Sequence, residues 1–180
     1  MLIAVLDANV LFPMVLRDTL LRAAASGCFR LHWSSRILDE VMRNLIDEYG
    51  MPEAKVAALR KLMEEAFPDA AVDGWEALEP KMRNRPEDRH VAAAAASIGA
   101  GVVVTFNIRD FVELPLGIAV MTPDRFLSEL VAARPTELMA ALEVQAATYR
   151  RPPMSVTELI QRLATVAPMF AAQASALVTP

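Results

Sequence analysis

At 180 residues the chain is long enough for one self-sufficient core, and its formal net charge of -4 excludes a simple electrostatic nucleic-acid binder, which would be strongly basic. Its lone Cys28 excludes an internal disulfide, and with two histidines the counts exclude a Cys/His zinc site. No apolar run reaches the roughly 18 residues of a membrane span, and the apolar N-terminus lacks a basic leader and meets an acid at Asp7, so a cytoplasmic protein with no membrane partner is expected.

Residues 2–6, Leu-Ile-Ala-Val-Leu, form an unbroken apolar run ending at Asp7, the pattern of a central parallel strand buried on both faces. Leu16, Leu20, Leu21 and Ala24 recur at helical spacing up to Gly27, and 29–33 reads as a second strand. From 35 to 49 the positions Ile37, Leu38, Val41, Met42, Leu45, Ile46 and Tyr49 make an apolar helical stripe closed by Gly50 and Pro52. A helix over 53–67, a brief strand near 71–73 and an irregular stretch over 74–85 follow. Pro86 opens a helix at Glu87 whose run from Val91 is almost all alanine, so it can lie close against a sheet.

Residues 102–106 read as another fully apolar strand, 118–121 as a further one, and Thr122-Pro123-Asp124 as an N-cap with proline at the first helical position. Strands alternating with helices imply a parallel sheet covered on both faces, with functional loops gathered along one edge. Beyond Arg134 the chain becomes a helical tail in which Ser155 and Glu158 are spaced as a capping box. The expected division is a domain over 1–134 and a C-terminal helical extension over 135–180. The last part of that extension, with Val166, Met169, Phe170, Leu177 and Val178 and no charge after Arg162, is expected to pack on the domain or on another chain.

Asp7 follows its strand directly, at the edge where open α/β sheets bind ligands, although Asp7-Ala8-Asn9 also suits a plain turn. Glu40 lies at the border of the buried helical stripe and can reach inward, or can make a solvated pair with Arg43 or Asn44. Asp88 falls in a first helical turn, where an acid also serves the helix dipole. His90 is a rival general base but has no paired serine or cysteine, and it is left out of the catalytic set. Asn107 and Asp110 follow the apolar strand over 102–106. Oxygen-bearing side chains of this kind suit Mg²⁺ or Mn²⁺, which use carboxylates, water and phosphate and have no use for thiols. Fifteen of the 18 basic residues are arginine, the side chain that matches phosphate oxygens two at a time, and Arg83, Arg85, Arg89 and Arg109 cluster near these acids.

The strings L-D-A-N-V-L at 6–11, D-E-V-M-R-N-L at 39–45, E-D-R-H-V-A-A-A-A at 87–95 and V-T-F-N-I-R-D-F at 104–111 together resemble, in order and spacing, the four motifs of the PIN-domain family, over roughly residues 1–130. The resemblance extends to the VapC-like toxins of bacterial type II toxin–antitoxin systems. It implies a three-layer α/β/α fold with a central parallel sheet of about five strands, a Mg²⁺- or Mn²⁺-dependent endoribonuclease activity, an RNA substrate, a protein antitoxin and a homo-oligomer. Carried over, Asp7, Glu40 and Asp88 match the first three acids of the family, and the fourth place is shared between Asn107 and Asp110, with Asp110 the expected metal ligand. Two rival readings stand beside it: a phosphatase or phosphotransferase that uses Asp7 as an aspartyl-phosphate nucleophile, and a non-catalytic interaction module.

Overall fold

The computed structural model describes residues 1–178; Thr179 and Pro180, the last positions of the expected extension, lie outside the described residues. Strands β1 (Ile3–Leu6), β2 (Arg30–Ser34), β3 (Ala71–Val72), β4 (Val102–Val104) and β5 (Ala119–Met121) form one sheet in the order β3-β2-β1-β4-β5. Every pairing is parallel, with Val5 opposite His32 on one side and opposite Val103 on the other. Ala4, Val5 and Leu6 of β1 and all three residues of β4 are fully buried. Since successive side chains point to opposite faces of a strand, helices must cover the sheet on both faces, as in a three-layer α/β/α fold.

Helix α1 (Ala8–Leu11) is a single turn, followed by α2 (Met14–Ala25), α3 (Ser35–Asp47), α4 (Glu53–Ala66), α5 (Arg89–Ser97) and α6 (Pro123–Ala133). α1 is too short to persist alone. It is held at its start by the Asp7 side chain and at its end by the buried Arg17, whose Nη1 donates to the carbonyls of Leu11 and Phe12 at 2.8 and 3.0 Å. α3 begins where β2 ends, with Ser34 Oγ accepting from Ile37 N at 3.2 Å, and buries Ile37, Leu38, Val41, Met42 and Leu45. α5 lies across β1, β2 and β4, and Val91 to Ala95 are all fully buried. Alanine is the reason this helix can come so near the strands. It starts two residues later than the sequence suggests, because Pro86–Asp88 form a tight 3₁₀ turn first.

The extension does not hang free. α7 (Pro135–Thr148) packs on α2, and α9 (Pro168–Ser175) packs on α6, with α8 (Val156–Leu163) joining them. Leu138, Leu142, Leu159, Leu163 and Phe170 enter the same core as the sheet. Polar contacts fix the register: Thr19 Oγ1 donates to Gln145 Oε1 at 2.8 Å, Gln145 Nε2 donates to the Val15 carbonyl at 3.1 Å, and Phe170 N donates to Asp124 Oδ1 at 2.9 Å. The expected capping box is present, Ser155 Oγ and the Glu158 carboxylate each accepting from the other's backbone N–H. Cys28 is buried and unpaired, and burial pushes its thiol above the usual range. Among the described residues no helix is long and apolar enough to cross a membrane.

Candidate active site

The chain runs outward from β1 to β2 and β3, then returns to place β4 on the other side of β1. The reversal lies between β1 and β4, and a crevice opens at the carboxyl ends of strands around such a point. Asp7 and Thr105, the residues immediately after β1 and β4, stand on either side of it. Asp7 is 4% exposed, so each of its oxygens needs a donor. Oδ1 accepts from Ala8 N at 2.7 Å, and Oδ2 accepts from Asn9 Nδ2 and from the Thr105 hydroxyl, both at 2.7 Å.

The Thr105 oxygen accepts in turn from Asn9 Nδ2 at 2.9 Å and from Asn107 N at 3.0 Å, while Asn9 Oδ1 accepts from Phe106 N at 3.1 Å. The ends of the two strands are thereby laced together around one carboxylate. Burial pushes the Asp7 carboxyl up to about 6; the Thr105 and Ala8 hydrogen bonds pull it down, and the negative charges of Asp88 and Glu40 push it further up. Oδ1, with a single hydrogen bond, keeps a lone pair, but at 4% exposure Asp7 gives little room for in-line approach of a phosphorus atom, which counts against the aspartyl-phosphate reading.

Glu40 sits on the second turn of α3, at the border of its buried stripe. Its pairing partners are not the expected Arg43 or Asn44. Oε1 lies 3.7 Å from Arg36 Nε, one helical turn earlier, and 3.1 Å from His90 Nε2 in α5. Arg36 is itself tied through Nη1 to Glu79 Oε1 at 2.9 Å. His90, set aside on sequence grounds, is therefore in contact with one of the candidate acids, and it is 1% exposed.

Asp88 is the residue before α5, yet its side chain caps nothing. Burial raises its pKa, as do the charges of Asp110 and Glu40, against the opposing influence of His90 and Arg85. Asp110 belongs to the 3₁₀ turn Ile108–Phe111 after β4, and this turn carries it back toward Asp88. Its Oδ1 is 3.3 Å from Arg85 Nη1, and its carbonyl accepts from Arg85 N at 3.1 Å. Asn107 is exposed at the mouth of the crevice. Of the arginines expected to cluster here, Arg85 pairs with Asp110 and Glu87, Arg89 is spent on the Asn84 carbonyl, and Arg83 and Arg109 are exposed without an ion pair among the described residues.

The structure thus brings acids from four separate elements into sequence around the crevice: Asp7 feels the charges of Asp88 and Glu40, and Asp88 those of Glu40 and Asp110. Among the described residues no three acidic, histidine or cysteine side chains stand close enough to hold one ion as they are. The donor set nevertheless fits a hard divalent cation, being all oxygen, and the carboxyls of Asp7 and Asp88 are raised first by burial and then by neighbouring acids, a cost that a bound cation would relieve. Glu40 Oε2 accepts no hydrogen bond among the described residues. Thr105 is the residue that sequence reasoning did not single out, and His90 the one it weighed as a general base and set aside. Thr105 could have been noticed as the one hydroxyl ending an all-valine strand, whereas nothing local to His90 marks its contact with Glu40.

A buried acid at the switch point of a five-stranded parallel sheet, with further acids from α3, α5 and the turn after β4, defines a class. The chain belongs to the PIN-domain family, whose model matches residues 4–109. A second model, the VapC50 C-terminal domain, matches residues 123–176, which include α6 together with the helices of the extension. A protein of Mycobacterium tuberculosis strain H37Rv named "Putative ribonuclease VapC50" is 33% identical over 107 residues, covering 58% of this chain and 63% of that relative's length. No solved structure matches the chain.

Proposed function

We propose that the chain is an endoribonuclease that depends on Mg²⁺ or Mn²⁺ and cleaves RNA phosphodiester bonds as the toxin of a toxin–antitoxin pair, held in check by a protein antitoxin. We also assign it to the cytoplasm and to a homo-oligomeric state. The observation that carries the catalytic reading is the buried Asp7, whose carboxyl is raised first by burial and then by the charges of Asp88 and Glu40, brought in from two other elements. Such crowding of like charges destabilises a fold unless a cation relieves it. Membership of the PIN family and likeness to a protein named as a ribonuclease support the choice of RNA.

Asp7, Glu40, Asp88 and Asp110 would hold the cation, which when bound would supply the charge that acidifies a water molecule and offsets negative charge on the phosphate oxygens. The chain's own residues prepare this chemistry. Thr105 and Asn9 fix the plane of the Asp7 carboxylate, so no reorganisation is needed when substrate arrives. Arg109, exposed next to Asp110, can grip a backbone phosphate through a two-pronged contact, as can Arg83 where the RNA backbone extends past Arg85. Asn107 at the mouth can donate or accept toward a phosphate, a ribose hydroxyl or a water. With a net charge of -4, binding rests on these local contacts and not on the field of the whole molecule.

The deciding experiment incubates the purified chain with labelled RNA in Mn²⁺, in Mg²⁺ and in chelator. Internal cleavage that requires the cation and disappears in Asp88→Asn is expected. Intact RNA in all three, from protein shown to be folded, would overturn the nuclease reading.

A further inference from the structure

His90 is in the first turn of α5, fully enclosed, with its ring 6.0 Å from that of Trp75 at an interplanar angle of 60°. Nε2 faces Glu40, and Nδ1 is buried without a hydrogen-bond partner. An apolar side chain of similar size would fill this place without leaving a polar atom unsatisfied. What the histidine adds is the single nitrogen directed at Glu40.

Both protein contacts of Glu40 go to the same oxygen. Oε1 meets His90 Nε2 at 3.1 Å and Arg36 Nε at 3.7 Å. Arg36 is 42% exposed on its side chain and shares itself with Glu79, so water competes for it. His90 is the buried and nearer contact. It also joins two elements, since Glu40 rides on α3 and His90 on α5, which carries Asp88 at its start.

We infer that His90 is a positioning residue that clamps Glu40 through Oε1 and so leaves Oε2 presented for a divalent cation. The inference rests on the nuclease reading given above and adds a residue to it. Partners that orient a metal-binding carboxylate typically contribute about 10- to 100-fold in metal affinity.

Mn²⁺ binding to the cation-free protein, measured by calorimetry, tests this without reference to turnover. His90→Phe keeps a ring beside Trp75 but removes the nitrogen, and should weaken Mn²⁺ about 10- to 100-fold. His90→Gln carries an amide nitrogen the same number of bonds from the backbone as Nε2 and should stay within a few-fold of wild type. His90→Asn, whose amide is one bond too short, should lose as much as His90→Phe. Glutamine and asparagine both leave the ring volume empty, so this pair carries the test even where His90→Phe does not fold. Because His90 acts through Glu40, the double variant Glu40→Gln/His90→Phe should bind no more weakly than Glu40→Gln alone. Wild-type protein that takes up no Mn²⁺ overturns the nuclease reading and the inference together. Wild-type binding that persists unchanged in His90→Phe and His90→Asn overturns the inference alone, as does an equal loss in the glutamine and asparagine variants.

Discussion

The inner and outer halves of the crevice are built on different principles. The inner half, Asp7 with Asn9 and Thr105, is tied by short hydrogen bonds between residues that two adjacent strands deliver to fixed places. In the outer half, Glu40, Asp88 and Asp110 come from a helix, a 3₁₀ turn before a helix and a 3₁₀ turn after a strand; Glu40 and Asp110 are held by ion pairs of 3.1 to 3.7 Å, and Asp88 makes none among the described residues. The inner acid is therefore oriented by the fold itself, while the outer acids depend on side chains that can be removed one at a time. Neutralising an acid should distinguish the halves by what it does to stability as well as to cleavage.

The largest effect is expected for Asp88→Asn and Asp7→Asn, each of which should reduce Mn²⁺-dependent RNA cleavage about 100- to 1000-fold, the scale of losing one charge from a preorganised site. The two should part in thermal unfolding without metal. Asp88→Asn removes a partly buried, repelled charge and should melt higher than wild type. Asp7→Asn also removes a charge, but its new N–H₂ group must face either the Ala8 N–H at the place of Oδ1 or the Asn9 and Thr105 donors at the place of Oδ2. That mismatch offsets the gain by about 1 to 3 kcal/mol.

Next comes pH. Because the Asp7 carboxyl rises from 3.8 unfolded to about 6 folded, the folded state holds its proton more tightly. Stability linked to this group is complete below the unfolded value and is lost as pH climbs through the folded one. The whole effect is on the order of 3 kcal/mol, roughly half of it between pH 5 and 7.5. In chelator, wild type should lose stability across that range relative to Asp7→Asn. Parallel curves for the two proteins would mean that Asp7 is not held in a buried, repelled state.

A smaller loss, about 1 to 2 kcal/mol, is expected in urea unfolding of Thr105→Val, which strips an acceptor from Asn9 and Asn107 and a donor from Asp7. In the outer half, Asp110→Asn should weaken Mn²⁺ binding several-fold by calorimetry, since it deletes a negative charge felt at Asp88. Asn107→Ala should leave affinity nearly unchanged. The smallest effect belongs to Arg85→Gln: its ion pair with Asp110 is exposed, so water competes for both charges, and a clear change in urea unfolding would show that Arg85 organises the outer half.

The parts of this architecture that a reader of the sequence could foresee are those set by local periodicity. The apolar runs of β1 and β4, the stripe of α3 and the alanines of α5 each carry their environment in their own spacing. The single turn of α1 was hidden because it exists only between the Asp7 cap and an arginine that reaches back from α2. Of the site, the positions of the acids could be read at strand ends and helix starts, but their surroundings could not. The Asn9–Thr105 bond spans 96 positions, and the His90–Glu40 contact depends on how α5 crosses the sheet. Arg36 in place of Arg43 beside Glu40 is the same lesson on one helix: residues four before and three after are both neighbours, and only the packed rotamer chooses between them.

The pairing of β4 with β5 limits how the chain can be divided. Val102, Val103 and Val104 lie opposite Ala119, Val120 and Met121, ten or more positions beyond the stretch matched by the PIN model, which stops at residue 109. A fragment cut there would leave a wholly apolar parallel strand with its outer row of amides and carbonyls open, the kind of edge that recruits other chains edge to edge. Such a fragment should precipitate or form β-rich aggregates on expression. The stretch matched by the PIN model is shorter than the sheet it belongs to, and β5 is the strand that covers the all-valine edge of β4.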